Sequence, residues 1–262
     1  FFGSIQIFQY LQFNGVKLTP SLWLFAIHGK NPDIIHRLED SHVEHNIKCY
    51  KESIKCHHND IANYIRNNLL INENDINLIY SLKYYNFAFI QNEDINKFSF
   101  IDFCHYGYYE IANNLLMNTD IDVNKQEIVN KNGNQSKIGG TNIFGLNCHR
   151  LTQKTALFIA VEKENLEIIQ LLLSNDKIDV NIQNIESIEY TNQNGNKTTI
   201  IINGINGNRE YKRTALYLAV EKENLEIIQL LLSNDKIDVN ILNTELSTNT
   251  ALHMAVLKRN YK

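Results

Sequence analysis

Two stretches of the chain repeat one pattern of apolar and polar positions almost residue for residue. Lys154 to Ile182 reads KTALFIAVEKENLEIIQLLLSNDKIDVNI, and Arg213 to Ile241 departs from it only at Lys154/Arg213, Phe158/Tyr217 and Ile159/Leu218. Within one unit the pattern predicts two short helices. Thr155 stands at the N-cap of the first, its hydroxyl available to an orphan backbone N–H. Ala156, Leu157, Ile159, Ala160 and Val161 form its body, and the alanines let a neighbouring helix approach closely. The charged run EKEN (162–165) ends it. In the second helix Leu166, Ile168, Ile169, Leu171, Leu172 and Leu173 leave only Glu167, Gln170 and Ser174 polar. A helix apolar almost all round has to be covered on several sides. Two such helices cannot bury themselves, whereas stacked copies can. SNDKIDVN then supplies turn residues, with Val180 available to pack inward.

Further copies are legible. Thr250 opens a third as TALHMAV, and a worn copy runs from Lys97 to Asn124, keeping Glu110, Ile111, Leu115, Leu116, Asp122, Val123 and Asn124. Before it, Ala26, Asn31 and Ile34-Ile35 match Ala160, Asn165 and Ile168-Ile169; residues 53–65 share the outline, and 4–11 resembles a second helix. The chain thus divides into a degenerate helical region, 1–95, and a repeat array, 96–262, with units at 97–124, 154–182, 213–241 and a truncated 250–262. Thr155 and Thr214 are 59 residues apart, whereas Thr214 and Thr250 are 36 apart. The surplus falls in insertions at 125–153 and 183–212, and insertions in repeat arrays map to loops. The second alternates Ile, Tyr and Thr with Asn-Gly pairs. It predicts a hairpin of roughly 185–191 against 198–202 around Asn194-Gly195. The first is polar and Gly-rich, which predicts partial disorder.

Thr-Ala-Leu-His at 250–253, and Thr-Ala-Leu-Phe at 155–158 and Thr-Ala-Leu-Tyr at 214–217, the latter two each opening a helix–turn–helix, resemble the ankyrin repeat, a 33-residue unit with a T-P-L-H-x-A signature. The Asp-Val-Asn hairpin entry at 179–181 and 238–240 matches as well. Ala replaces the usual Pro, and Glu164 or Glu223 replaces the usual Gly of the inter-helix turn. The resemblance implies an all-α, ankyrin-type helical solenoid with extended hairpin or loop fingers. Together with residues 1–95, the chain is similar to large protist ankyrin proteins in which a degenerate helical segment of unknown function precedes the array. It also implies a protein–protein interaction scaffold or adaptor; the alternative is a regulatory or substrate-targeting region of a larger enzyme. Partner contacts in such arrays come from finger tips and from the exposed end of the first helix. Mapped here, those positions are Lys154, Glu162 and Lys163; Arg213, Glu221 and Lys222; Asn249, Leu257 and Lys258; and His105 with Tyr106. A solvated mixed-charge face explains the Glu-Lys pairs equally well. Tyr190, Ile200, Ile202 and Tyr211 are the apolar finger positions suited to contact.

Composition adds exclusions. A hydrophobic content of 44% supports a core, and a net charge of −4 argues against nucleic acid or a membrane surface as partner. No apolar run approaches the ~20 residues of a membrane span, and no signal peptide is recognisable, so a cytoplasmic protein is expected. The chain lacks an initial Met and stops inside a repeat, which predicts a fragment of a longer protein. Cys-His dipeptides at 56–57, 104–105 and 148–149 lack the paired spacing of a metal site. They are expected to be free thiols and packed or solvated imidazoles; Cys104 aligns with the core position Val161. No phosphate-binding glycine motif and no nucleophile–base set is present. The sequence predicts a protein partner, no cofactor, no metal and no enzymatic activity.

Overall fold

The computed structural model describes residues 5–69, 78–90, 92–128, 147–191, 197–198, 201–202, 205–206, 209–244 and 248–259. It contains two compact units, Phe1–Phe98 and Ser99–Lys262.

In the first unit, helices α1 (Ile5–Phe13), α2 (Leu22–His28), α3 (Pro32–Asp40), α4 (Ile47–Lys55), α5 (Asn59–Asn68) and α6 (Ile79–Lys83) precede 3-10 turns at Phe87–Phe89 and Asn92–Lys97. α2, α4 and α6 pack in succession. The core is built on Trp23, Ile27, Leu38, Ile54 and Ile65, all fully buried. The indole N–H of Trp23 donates to the Val43 carbonyl at 3.1 Å, which satisfies the one polar atom that burying this ring brings inside.

The second unit is the repeat array. Its helix pairs are α7 (Phe100–Tyr106) with α8 (Tyr109–Asn118), α9 (Ala156–Lys163) with α10 (Leu166–Leu173), and α11 (Ala215–Glu221) with α12 (Leu225–Leu232), followed by α13 (Ala251–Arg259). First helices stack in the row α7, α9, α11, α13, and second helices in the row α8, α10, α12. The caps form as the sequence predicts. Thr155 Oγ1 accepts from the Phe158 amide and Thr214 Oγ1 from the Tyr217 amide, both at 3.2 Å. Cys104 is fully buried, as its alignment with Val161 requires. α10 has its apolar face covered, but on α12 Leu225 is 65% exposed, because no second helix follows on that side among the described residues.

One turn geometry recurs in both units. Lys30, His57, Gly107, Glu164 and Glu223 have positive φ between the two helices of a pair, and Tyr85 has it after α6. The next residue then donates its amide to a carbonyl five residues back: Asn31 to Ala26, His58 to Ser53, Asn86 to Ser81, Tyr108 to Phe103, Asn165 to Ala160 and Asn224 to Ala219. This left-handed cap closes the orphan carbonyls of the first helix and reverses the chain. Asn31, Asn165 and Asn224 also cap the helix they begin, accepting from Ile34, Ile168 and Ile227 at 3.1, 3.1 and 3.2 Å.

The insertions form strands. β1 (Glu127–Ile128) and β2 (Asn147–Lys154) close the first finger, β3 (Asn184–Thr191) and β7 (Arg209–Arg213) the second, and β8 (Asn243–Thr244) and β9 (Thr248–Asn249) the third. Neighbouring fingers are joined by antiparallel pairing of β2 with β3, from Asn147↔Thr191 to Gln153↔Ile185, and of β7 with β8 at Lys212↔Thr244. The hairpin expected for the second insertion is therefore redrawn. Its stem runs from Asn184↔Arg213 to Ile188↔Arg209. Among the described residues, the expected pairing is present where Tyr190 and Thr191 meet Thr198 and Lys197 of β4 (Lys197–Thr198). β5 (Ile201–Ile202) pairs instead with β6 (Ile205–Asn206). The Asn-Gly signal is local, whereas the stem is fixed where the chain leaves one helix pair and enters the next. The disorder expected for the first insertion concerns mainly 129–146, which lie outside the described residues.

Candidate partner-binding surface

The surface that the sequence nominates lies where the fingers meet the first helices of the second unit. Lys154 ends β2 and Arg213 ends β7, each directly before a helix N-cap. These two cations are used internally. The Lys154 ammonium is buried, bonds Glu162 Oε2 at 2.7 Å and lies 5.6 Å from the centre of the Phe158 ring. Arg213 donates to Glu221 Oε2 at 3.0 Å and to Glu186 Oε2 at 3.4 Å, and its guanidinium carbon lies 6.0 Å from the same ring. Phe158 of one repeat is thus touched by the basic residue of its own repeat and by that of the next. Salt bridges with such low exposure act mainly to fix geometry, since desolvation offsets much of the Coulomb attraction.

The charges at the ends of the first helices are more open. Lys163 is exposed. Lys222 Nζ bonds Glu164 Oε1 at 2.8 Å, across the repeat boundary, and Asn224 Nδ2 bonds Glu164 Oε2 at 3.0 Å. These hydrogen bonds, followed by the Lys222 charge, hold the Glu164 carboxyl below its ordinary value. His105 and Tyr106 meet edge to face with ring centres 4.5 Å apart. Leu257 is exposed, and Lys258 half-buried, on α13.

Of the finger residues, Tyr211 is half-buried on β7, opposite Glu186. Tyr190 lies on β3, between Cys148 and Thr198, and Ile202 pairs with Ile205. Ile200 lies outside the described residues.

The fingers are also sewn together by amide side chains that single-repeat patterns do not reveal. Asn124 bonds the Lys177 carbonyl and the Asp179 amide, and Asn181 repeats this with Lys236 and Asp238, all at 2.8 Å. Gln126 bonds the Gln183 carbonyl at 2.8 Å, and Gln183 the Leu242 carbonyl at 2.7 Å. Glu186, the third member of the Arg213 cluster, was also invisible in the sequence. It occurs in an insertion without a counterpart in the shorter unit, so no repeat register points to it.

Stacked helix pairs with left-handed turns, N-cap threonines and cross-linked fingers define an ankyrin-type helical solenoid. Residues 187–262 match the family model for ankyrin repeats (three copies), residues 152–185 the ankyrin repeat, and residues 13–92 a domain of unknown function, DUF3447. The chain therefore carries an N-terminal domain of unknown function followed by ankyrin repeats, which are protein–protein interaction modules. No curated protein matches it. No helix among the described residues is long and apolar enough to cross a membrane.

Proposed function

We infer that this chain is a scaffold or adaptor that holds a protein partner on its finger sheet and on the adjoining ends of its first helices. The observation that carries this reading is the joining of three fingers into one antiparallel sheet through β2–β3 and β7–β8. A connection between repeats needs only a short turn. Strands of eight residues on each side of the α9–α10 pair build a broader, stiffer platform than stacking demands. Lys163 and Lys222 at the helix ends, with Tyr190, Ile200, Ile202 and Tyr211 on the fingers, are the residues proposed to meet the partner. Lys154, Glu162, Arg213 and Glu221 set the shape of that surface through their internal ion pairs. The reading places the protein in the cytoplasm and asks for no cofactor.

The test is a pair of full-length chains, one intact and one with 192–208 replaced by a two-residue Asn-Gly turn. Shortening the finger should remove specific partners from an affinity capture while leaving the far-ultraviolet helical signal intact. The same partners in both captures would exclude the finger as the recognition element.

A further inference from the structure

The first unit brings together three side chains of different chemistry from two helices. His28 occupies the last turn of α2, Glu52 the last turn of α4, and Cys56 follows directly as the cap of α4. The four-residue spacing places Glu52 and Cys56 on one face of α4. α2 packs against α4. His28 Nε2 lies 2.5 Å from Glu52 Oε1, and Cys56 Sγ lies 4.0 Å from the same oxygen. All three ligand atoms fall within 4.8 Å of one another. The Cys-His dipeptide at 56–57 is not the pairing that matters here. His57 turns away to bond the Tyr84 carbonyl at 2.9 Å, and Cys56 finds a histidine 28 positions earlier in the chain.

Thiolate, imidazole and carboxylate are the donors zinc takes, and sulfur disfavours Mg²⁺ or Ca²⁺. One thiolate and one carboxylate balance the charge of Zn²⁺. Zinc–ligand bonds of about 2.0–2.3 Å in a tetrahedron separate the donors by about 3.3–3.7 Å. The imidazole and carboxylate need to part slightly and the thiol to close in, both within the reach of side-chain torsions. The C-terminal ends of two helices meet at this point, and their partial negative charge favours a cation. A cation is already drawn there: Lys55 Nζ lies 2.9 Å from Glu52 Oε1. Its half-exposed chain can swing into solvent.

We propose that His28 Nε2, Glu52 and Cys56 Sγ form a Zn²⁺ site in the first unit, with water as the fourth ligand. Binding displaces the thiol proton of Cys56 and the Nε2 proton that His28 directs at Glu52; the thiol proton goes to solvent, and the neutral imidazole coordinates as its Nδ1–H tautomer, so zinc uptake releases at least one proton. The metal clamps the end of α2 to the end of α4 and stabilises the unit by mass action.

The test uses the full 262-residue chain, stripped of metal with a chelator and titrated with Co²⁺. The expected result is one ion per chain, with a thiolate-to-cobalt charge-transfer band that Zn²⁺ displaces. Cys56→Ser should abolish the band. His28→Ala and Glu52→Gln should each weaken Zn²⁺ binding by at least about 10–100-fold, the loss that follows even from removing an outer partner of a metal ligand. Glu52→Gln is nearly isosteric, which preserves the fold should the other two variants unfold. His57→Asn and Cys104→Ala should bind as the parent does. Absence of one-to-one binding, or full-strength binding by folded Glu52→Gln or Cys56→Ser, would overturn the proposal.

Discussion

Asn184 Oδ1 accepts the backbone N–H of Thr155 at 2.6 Å, tying the start of one finger strand to the N-cap of the repeat that it leaves. Asn243 makes the same bond to Thr214 at 2.7 Å. Both asparagines are buried, and their amide nitrogens bond backbone carbonyls in turn. Asn184→Ala would leave the Thr155 amide buried without an acceptor, at a cost of about 1–3 kcal/mol. Asn181 is half-buried and its bonds lie at the surface, so Asn181→Ala should cost about 0.5–1.5 kcal/mol, because water can replace them. Urea unfolding midpoints of the two variants measure the difference. Equal losses would mean that burial does not govern these amides.

Glu223 adopts φ 58°, a left-handed conformation that an L side chain adopts at a cost of about 1–2 kcal/mol. Glycine removes that strain but loses more entropy on folding, by roughly 0.5–1 kcal/mol. Glu223→Gly is expected to raise stability by about 0.5–1 kcal/mol, the balance of the two. Glu164→Gly relieves the same strain but removes the carboxylate that pairs with Lys222, which offsets part of its own gain. Thermal melts of the two single variants rank them, and a lower melting temperature for Glu223→Gly would contradict the strain argument.

Asp102 closes a capping box, accepting the Ser99 amide at 2.9 Å while its own amide donates to Ser99 Oγ at 3.2 Å. Burial raises its carboxyl above 3.8, with hydrogen bonds from Ser99 opposing and the charge of Glu127 adding to the rise. A raised folded pKa means that the folded state prefers the protonated acid. Its contribution is whole below 3.8 and is lost as pH rises through the folded value. Asp102→Asn keeps an acceptor for the Ser99 amide and carries no charge. The parent should therefore lose stability relative to this variant as pH rises through the acid range. A difference independent of pH would show that the carboxyl titrates alike in both states.

Cys104 is fully buried, and burial pushes its thiol up to about 12. Alkylation requires both thiolate and access. Iodoacetamide should modify the partly exposed Cys56 well before Cys104 or the buried Cys49. At about pH 7 and at about pH 9 alike, Cys104 should stay essentially unlabelled while the chain stays folded, because the buried sulfur lacks access as well as charge. Peptide mass spectrometry on a time course reads this directly.

In α13 Leu252 is 74% exposed, and Val256 and Leu257 are also open, whereas Leu216, Tyr217 and Ala219 of α11 are buried. A helix with so little apolar cover opens with little cost in free energy. Hydrogen exchange should find α13 amides close to unprotected and α11 among the slowest. Comparable protection in the two would refute this.

The repeat unit was fully legible in the sequence. Thr155, the alanines of the first helix, Asn165 and the leucines of the second each specify a local structure, and two nearly identical copies show the stacking. Even Ala26 and Asn31 in the degenerate half mark the turn that the structure places there, as Ala160 with Asn165 and Ala219 with Asn224 do in the array. The finger stem was not legible. Asn194-Gly195 is a local signal, whereas the pairing of Asn184 with Arg213 is imposed by the helices at both ends of the insertion. Nor could the sequence show that Lys154 and Arg213 turn inward, since Glu162, Glu186 and Phe158 become their neighbours only once the repeats stack. Periodicity records what a residue does within its own helix. Contacts between a helix end and a residue two dozen positions away, such as His28 with Glu52, exist only when packing has brought the helices together.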